Sequence, residues 1–145
     1  MHILISTHVE ADMKTVWNNF NEKLFLALAP KFTPFKLLRF DGCHVGDEVH
    51  LEIGASFFAQ RWDALIIEQK ETEKEIYFID KGVKLPFFLT EWQHKHIIKA
   101  HPDGTCSIID DIHFESLPLV GWLFYPILWL QFNNRKPIYK AFFSK

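Results

Sequence analysis

Residues 90–114 read TEWQHKHIIKAHPDGTCSIIDDIHF, two apolar runs joined at Pro102-Asp103-Gly104 and carrying four of the chain's eight histidines and three aspartates. In the first run Phe88, Thr90, Trp92, His94, His96 and Ile98 alternate with Leu89, Glu91, Gln93, Lys95 and Ile97. Glu91 and Lys95 require solvent, so the even positions point inward. In the second run Cys106, Ile108, Asp110, Ile112 and Phe114 form the inward face, and Asp110 is its one charge. Pro-Asp-Gly suits a type I turn followed by a left-handed glycine, a three-residue hairpin loop that pairs His101 with Thr105. That closure sets His96 opposite Asp110 and His94 opposite Ile112. A slip by two residues brings His94 to Asp110 instead. A slip by one puts Asp111 inside and Ile112 outside, which the hydrophobic pattern forbids. Either allowed register leaves an imidazole facing a carboxylate on a buried face, where polar groups are costly unless paired.

Outward from this hairpin the pattern stays mostly extended. Residues 2–9 alternate, with Ile3, Ile5, Thr7 and Val9 on one face of a half-buried strand. Asp12 is placed to cap a short helix carrying Met13, Val16, Trp17 and Phe20. A second helix, Glu22 to Leu28, must end at Ala29-Pro30, because the residue before proline is pushed out of the helical region. Strands follow over 35–40, 48–53, 57–69 and 75–80, and short turns between them make the sheet antiparallel. The final helix starts after Pro118 and is apolar all round: Leu119, Val120, Trp122, Leu123, Phe124, Ile127, Leu128, Trp129 and Phe132. Such a helix is covered on both sides, or turns one side to a cavity, partner or lipid. Asn133, Asn134, Arg135 and Lys136 bring polarity at its end, and Pro137 is expected to kink or break it.

At 145 residues the chain is the size of one domain, 1–145. With 48% hydrophobic and 23% charged residues it is globular rather than disordered. Its 15 Phe and 5 Trp either fill a large core or line a cavity. A net charge of −2 with dispersed Lys and Arg argues against nucleic acid. Cys43 and Cys106 make no disulfide framework and no C-x-x-C motif. The N-terminus lacks the basic region of a signal peptide, so reduced thiols in a cytoplasmic protein are expected. The apolar run 117–130, interrupted by Gly121 and Pro126, is shorter than the roughly 18–20 residues of a spanning helix.

Strand, two short helices, a run of antiparallel strands and a long terminal helix is also the order of the helix-grip fold. The chain resembles the SRPBCC superfamily (START, birch-pollen-allergen and polyketide cyclase/dehydrase-like proteins), in particular its small bacterial single-domain members. The matching residues are Arg61-Trp62, Leu85-Pro86-Phe87, Trp92-x-His94-x-His96, Asp110-x-Ile112-x-Phe114 and Arg135, and the similarity covers nearly the whole chain. Leu85 stands where the family usually has glycine, and Phe114 lacks the hydroxyl of the family's tyrosine. The resemblance implies an α+β domain in which a curved antiparallel sheet of six or seven strands wraps around the long C-terminal helix, leaving a cavity between.

Three readings of the inward polar residues follow. The first is a polar spot in an apolar pocket, with Trp92, His94, His96, Ile98, Ile108, Asp110, Ile112, Phe114 and Arg135 binding a lipid-, sterol- or polyketide-like molecule. Such a pocket is expected to enclose on the order of 300 Å3 or more. The second is a cyclase/dehydratase-type enzyme in which Asp110 orients His96 as a base. The third is a metal site, for which His94, His96 and Asp110 supply three ligands with no fourth in view. Binding therefore ranks ahead of catalysis, and no metal or cofactor is expected. A further possibility is an interaction module presenting the C-terminal helix to a partner or membrane surface.

Overall fold

The hairpin closes as its turn chemistry requires. In the computed structural model, which describes residues 1–144, the His101 amide donates to Thr105 at 2.9 Å, and Gly104 adopts a left-handed φ of 87°. β6 (Glu91–Ala100) and β7 (Cys106–Glu115) then pair with His96 opposite Asp110 and His94 opposite Ile112. The register inferred from the turn is the one found.

Around this hairpin lie β1 (His2–Val9), β2 (Phe35–Phe40), β3 (Glu48–Ile53), β4 (Gln60–Glu71) and β5 (Glu75–Lys84). All seven strands form one antiparallel sheet in the order β1-β7-β6-β5-β4-β3-β2. The chain thus meanders from β2 to β7, and β1 joins the far edge. β4 carries two register shifts, at Asp63/Ala64 and Ile66/Glu68, and bulges of this kind bend a strand and increase its twist. β4 begins at Gln60 rather than 57, because Ser56–Phe58 form a single 3₁₀ turn. Arg61 forks onto Asp63 with contacts of 2.9–3.1 Å.

Two short helices cover one end of the sheet. Asp12 caps α1 (Met13–Asn18) by accepting from the Thr15 amide at 2.9 Å, and α2 (Glu22–Ala27) ends just before Ala29-Pro30. The long terminal helix is divided into α3 (Val120–Asn133) and α4 (Arg135–Phe142). The break lies at Asn134, three residues ahead of Pro137, which sits in the first turn of α4 where a proline is tolerated; Pro126 is carried inside α3. α1, α2 and α4 bury Val16, Leu24, Tyr139 and Phe143 against Ile76, Ile98 and Ile108. α3 buries Leu128 and Phe132 against Trp92, Ile112 and Phe114. Each fully buried aliphatic or aromatic side chain stabilises by roughly 1.5–3 kcal/mol. The α+β helix-grip architecture is the one expected. Among the described residues no helix is long and apolar enough to cross a membrane.

Candidate functional site: a polar corner in an aromatic cavity

Three adjacent strands bring four ionisable side chains to one place. Asp80 on β5 stands opposite His94, and Asp110 on β7 stands opposite His96. The hydrogen bonds run along the diagonals, which are within reach of long side chains on one sheet face. His94 Nε2 lies 2.9 Å from Asp110 Oδ1, and His96 Nε2 lies 2.7 Å from Asp80 Oδ2. A carboxylate only accepts, so both imidazoles carry a proton on Nε2. The two rings stack with centroids 3.5 Å apart, and Phe78 covers the other face of His96 at 4.2 Å. Trp92 Nε1 donates to Asp80 Oδ1 at 3.1 Å. From the first turn of α4, Arg135 places Nη1 3.7 Å from Asp110 Oδ1 and lies over the Phe132 ring.

Burial decides the protonation of His96. Removed from water and next to His94, its pKa falls to about 4, against the pull of Asp80, so it is neutral at pH 7. Burial alone would raise Asp80 and Asp110. For Asp80 the His96 hydrogen bond, the neighbouring imidazoles and Trp92 outweigh it, and the carboxyl sits below its ordinary value. For Asp110 the hydrogen bond from His94 and the charges of His94 and Arg135 do the same. Tyr139 is pushed upward, chiefly by burial and by the charge of Asp110.

These groups form one corner of a cavity of about 150 Å3 between the sheet, α2, α3 and α4, partly open to solvent. Asp80, Trp92, His94, His96, Arg135 and Tyr139 line the corner, and the remaining wall is largely apolar, with Phe20, Trp62, Phe78 and Phe132. Three polar atoms on this wall are buried without a hydrogen-bond partner: His96 Nδ1, Arg135 Nε and the Tyr139 hydroxyl.

The nine residues expected to line the pocket therefore divide. Trp92, His94, His96 and Arg135 face the cavity. Ile98 and Ile108 pack under α1 and α4, and Ile112 and Phe114 under α3. Asp110, only 1% exposed, sits behind His94 and Arg135 rather than on the wall. The expected His96–Asp110 pair is not hydrogen bonded, because His96 turns to Asp80. Asp80 itself shares a face with Ile76 and Phe78 in the alternation of residues 75–80, a signal legible in the sequence. Its meeting with His96 was not, since the register of β5 on β6 is set across the connection 85–90. The Leu85 side chain folds over Gly82, in space that a Cβ on residue 82 would need.

No protein-family model matches the chain, and no curated protein matches it by sequence. Solved structures do match in shape. Protein Ms6760 from Mycobacterium smegmatis superposes with a TM-score of 0.70 at 13% identity, over 99% of this chain and 90% of that one. A norcoclaurine synthase from Thalictrum flavum, solved with a transition-state analogue, gives 0.65 at 12% identity, over 92% and 89%. Ginseng major latex-like protein 151 from Panax ginseng gives 0.54 at 14% identity, over 94% and 97%. At such identities the likeness is one of fold.

Proposed function

We propose that the chain binds a small apolar molecule with one polar end in the cavity between the sheet and the C-terminal helices. The observation that carries this reading is the set of buried, unpartnered polar atoms, His96 Nδ1, Arg135 Nε and the Tyr139 hydroxyl, on an otherwise aromatic wall. Buried donors and acceptors are nearly always paired; a ligand hydroxyl at this corner donates to His96 Nδ1 and accepts from Arg135 Nε and Tyr139, whereas a carboxylate accepts from the latter two only. The volume narrows the class. About 150 Å3 is half of what a drug-sized ligand needs, while a cavity of that order takes a benzene-sized molecule. A single-ring phenol or aromatic acid therefore fits better than a sterol or a long-chain lipid. That the fold is shared with a norcoclaurine synthase from Thalictrum flavum solved in complex with dopamine and hydroxybenzaldehyde supports the same choice.

The test is a titration followed by the fluorescence of Trp62 and Trp92, in the presence of chelator, with monocyclic phenols, aromatic acids, fatty acids and sterols. Saturable binding is expected for the first two classes, weakened at least tenfold by Arg135→Met. No saturable binding in any class would overturn the reading.

A second reading has its own observation. Leu119, just before α3, and Trp122 and Leu123 on its outer side are 82%, 75% and 66% exposed, and Ile127, Trp129 and Leu130 are exposed further along the helix. Large contiguous apolar patches mark interaction sites. Sedimentation with lipid vesicles, compared with a Trp122→Ser/Leu123→Ser variant, tests a membrane role; equal sedimentation of the two excludes it.

A further inference from the structure

Asp80, His94 and His96 are arranged in a way that ligand binding at the cavity corner does not require. We propose that they form a mononuclear site for a divalent first-row transition metal, with zinc the ion their donors suit. Two imidazole nitrogens and a carboxylate oxygen are a donor set of catalytic zinc sites, which use three protein ligands and leave a fourth position open. One ligand atom from each residue lies within 4.8 Å of the other two. Asp80 Oδ2 is 3.7 Å from His94 Nδ1 and 2.7 Å from His96 Nε2. These distances bracket the separation of about 3.3 Å between ligand atoms that tetrahedral bonds of 2.0–2.1 Å produce.

The supporting contacts are those of a metal site. Asp110 holds His94 through Nε2 at 2.9 Å and leaves its Nδ1 free toward Asp80. Trp92 takes Asp80 Oδ1 and leaves Oδ2 free toward both imidazoles. Outer carboxylates and donors of this kind orient metal ligands and tune their basicity. Charge argues the same way, since the buried carboxylates of Asp80 and Asp110 meet only one guanidinium, that of Arg135. A dication at Asp80 Oδ2 more than offsets that single excess negative charge, taking the corner from −1 to +1. The absence of a fourth ligand, which counted against a metal when Asp110 was taken as the third, is what an open site provides: the trio lines the cavity, so a water or ligand atom takes that position. Coordination through His96 Nε2 moves that ring's proton to Nδ1, which is without a partner in the metal-free protein.

A second cluster calls for a control. On the outer face His2, Asp111 and His113 also bring three ligand atoms within 4.8 Å, but there both histidines are exposed and Asp111 is half-buried. The experiment is a cobalt(II) titration of chelator-treated protein at neutral pH, read by the visible absorption of a low-coordinate cobalt ion. One equivalent is expected to develop the signal and to be displaced by zinc. The Asp80→Asn variant, if folded by circular dichroism, is expected to lose the signal, Asp110→Asn to bind about 10–100-fold more weakly, and His2→Ala/His113→Ala to match the unmodified chain. Should Asp80→Asn not fold, imidazole 15N shifts of the unmodified chain with zinc decide: movement at His94 and His96, and none at His2 and His113, supports the site. No saturable cobalt signal, a signal retained in folded Asp80→Asn, or one lost in the surface variant overturns it.

Discussion

At the scale of single residues the corner is a buried network in which each partner is needed by another. Asp110 holds both His94 and Arg135. Removing one member of a buried pair leaves an uncompensated charge, at a cost of about 3–5 kcal/mol. Asp110→Ala is therefore expected to lower the unfolding free energy by that amount in urea denaturation. Asp111→Ala next door, whose partners His2 and His113 are at the surface, is expected to cost less than about 1 kcal/mol. Equal losses from the two would show that Asp110 is not the anchor described. The thiols are also set by burial. Cys43 is raised to about 12 and Cys106 to about 11, in each case first by desolvation. Thiolate is the reactive form, so neither is expected to be alkylated at pH 8 until denaturant is added, as mass spectrometry will show.

At the scale of elements, local chemistry explains most boundaries. The Asp12 cap, the Ala29-Pro30 stop and the Pro-Asp-Gly turn each act within a few residues, and each was legible in the sequence. The exception is the entry to α3. Leu119 precedes the helix with φ of 68°, in a left-handed conformation that costs a non-glycine residue about 1 kcal/mol or more. Its side chain is 82% exposed, so little packing is lost on truncation. Leu119→Gly is expected to leave stability unchanged or to raise it by up to about 1 kcal/mol. A loss above that in thermal denaturation would mean that the Leu119 side chain is needed for packing. The division of the last helix was anticipated at Pro137 but falls at Asn134, because proline constrains the residues before it and is itself accommodated in a first turn. This small shift matters, since it makes Arg135 the first residue of α4 and turns it toward Asp110.

At the scale of the whole molecule, the buried imidazole couples stability to acid. In the metal-free protein His96 has a pKa of about 4 when folded, against 6.5 unfolded. The unfolded chain therefore takes up the proton first as pH falls. Stability is complete above about pH 6.5 and declines toward pH 4, by about 1.4 kcal/mol per pH unit for one such proton. Below that range Asp80 and Asp110, held below 3.8, add a further loss as they are protonated through their folded values. Melting temperature in chelator is expected to fall between pH 7 and 5, with a smaller slope in His96→Gln. A flat profile for the unmodified chain would exclude a neutral buried His96.

What the sequence by itself determined is the hairpin and everything that follows from alternation. The inward face of His94, His96 and Asp110, their register across a three-residue turn, and the order of elements that makes a helix-grip fold all depend on neighbours a few positions apart. What only the tertiary structure decided is which carboxylate each imidazole meets, and how much space is left beside them. Asp80 reaches His96 through a strand register set outside the hairpin, and Tyr139 and Arg135 arrive from a helix folded across the sheet. The cavity is the remainder after all those aromatic side chains have packed, a quantity fixed by the sum of distant contacts rather than by any local pattern.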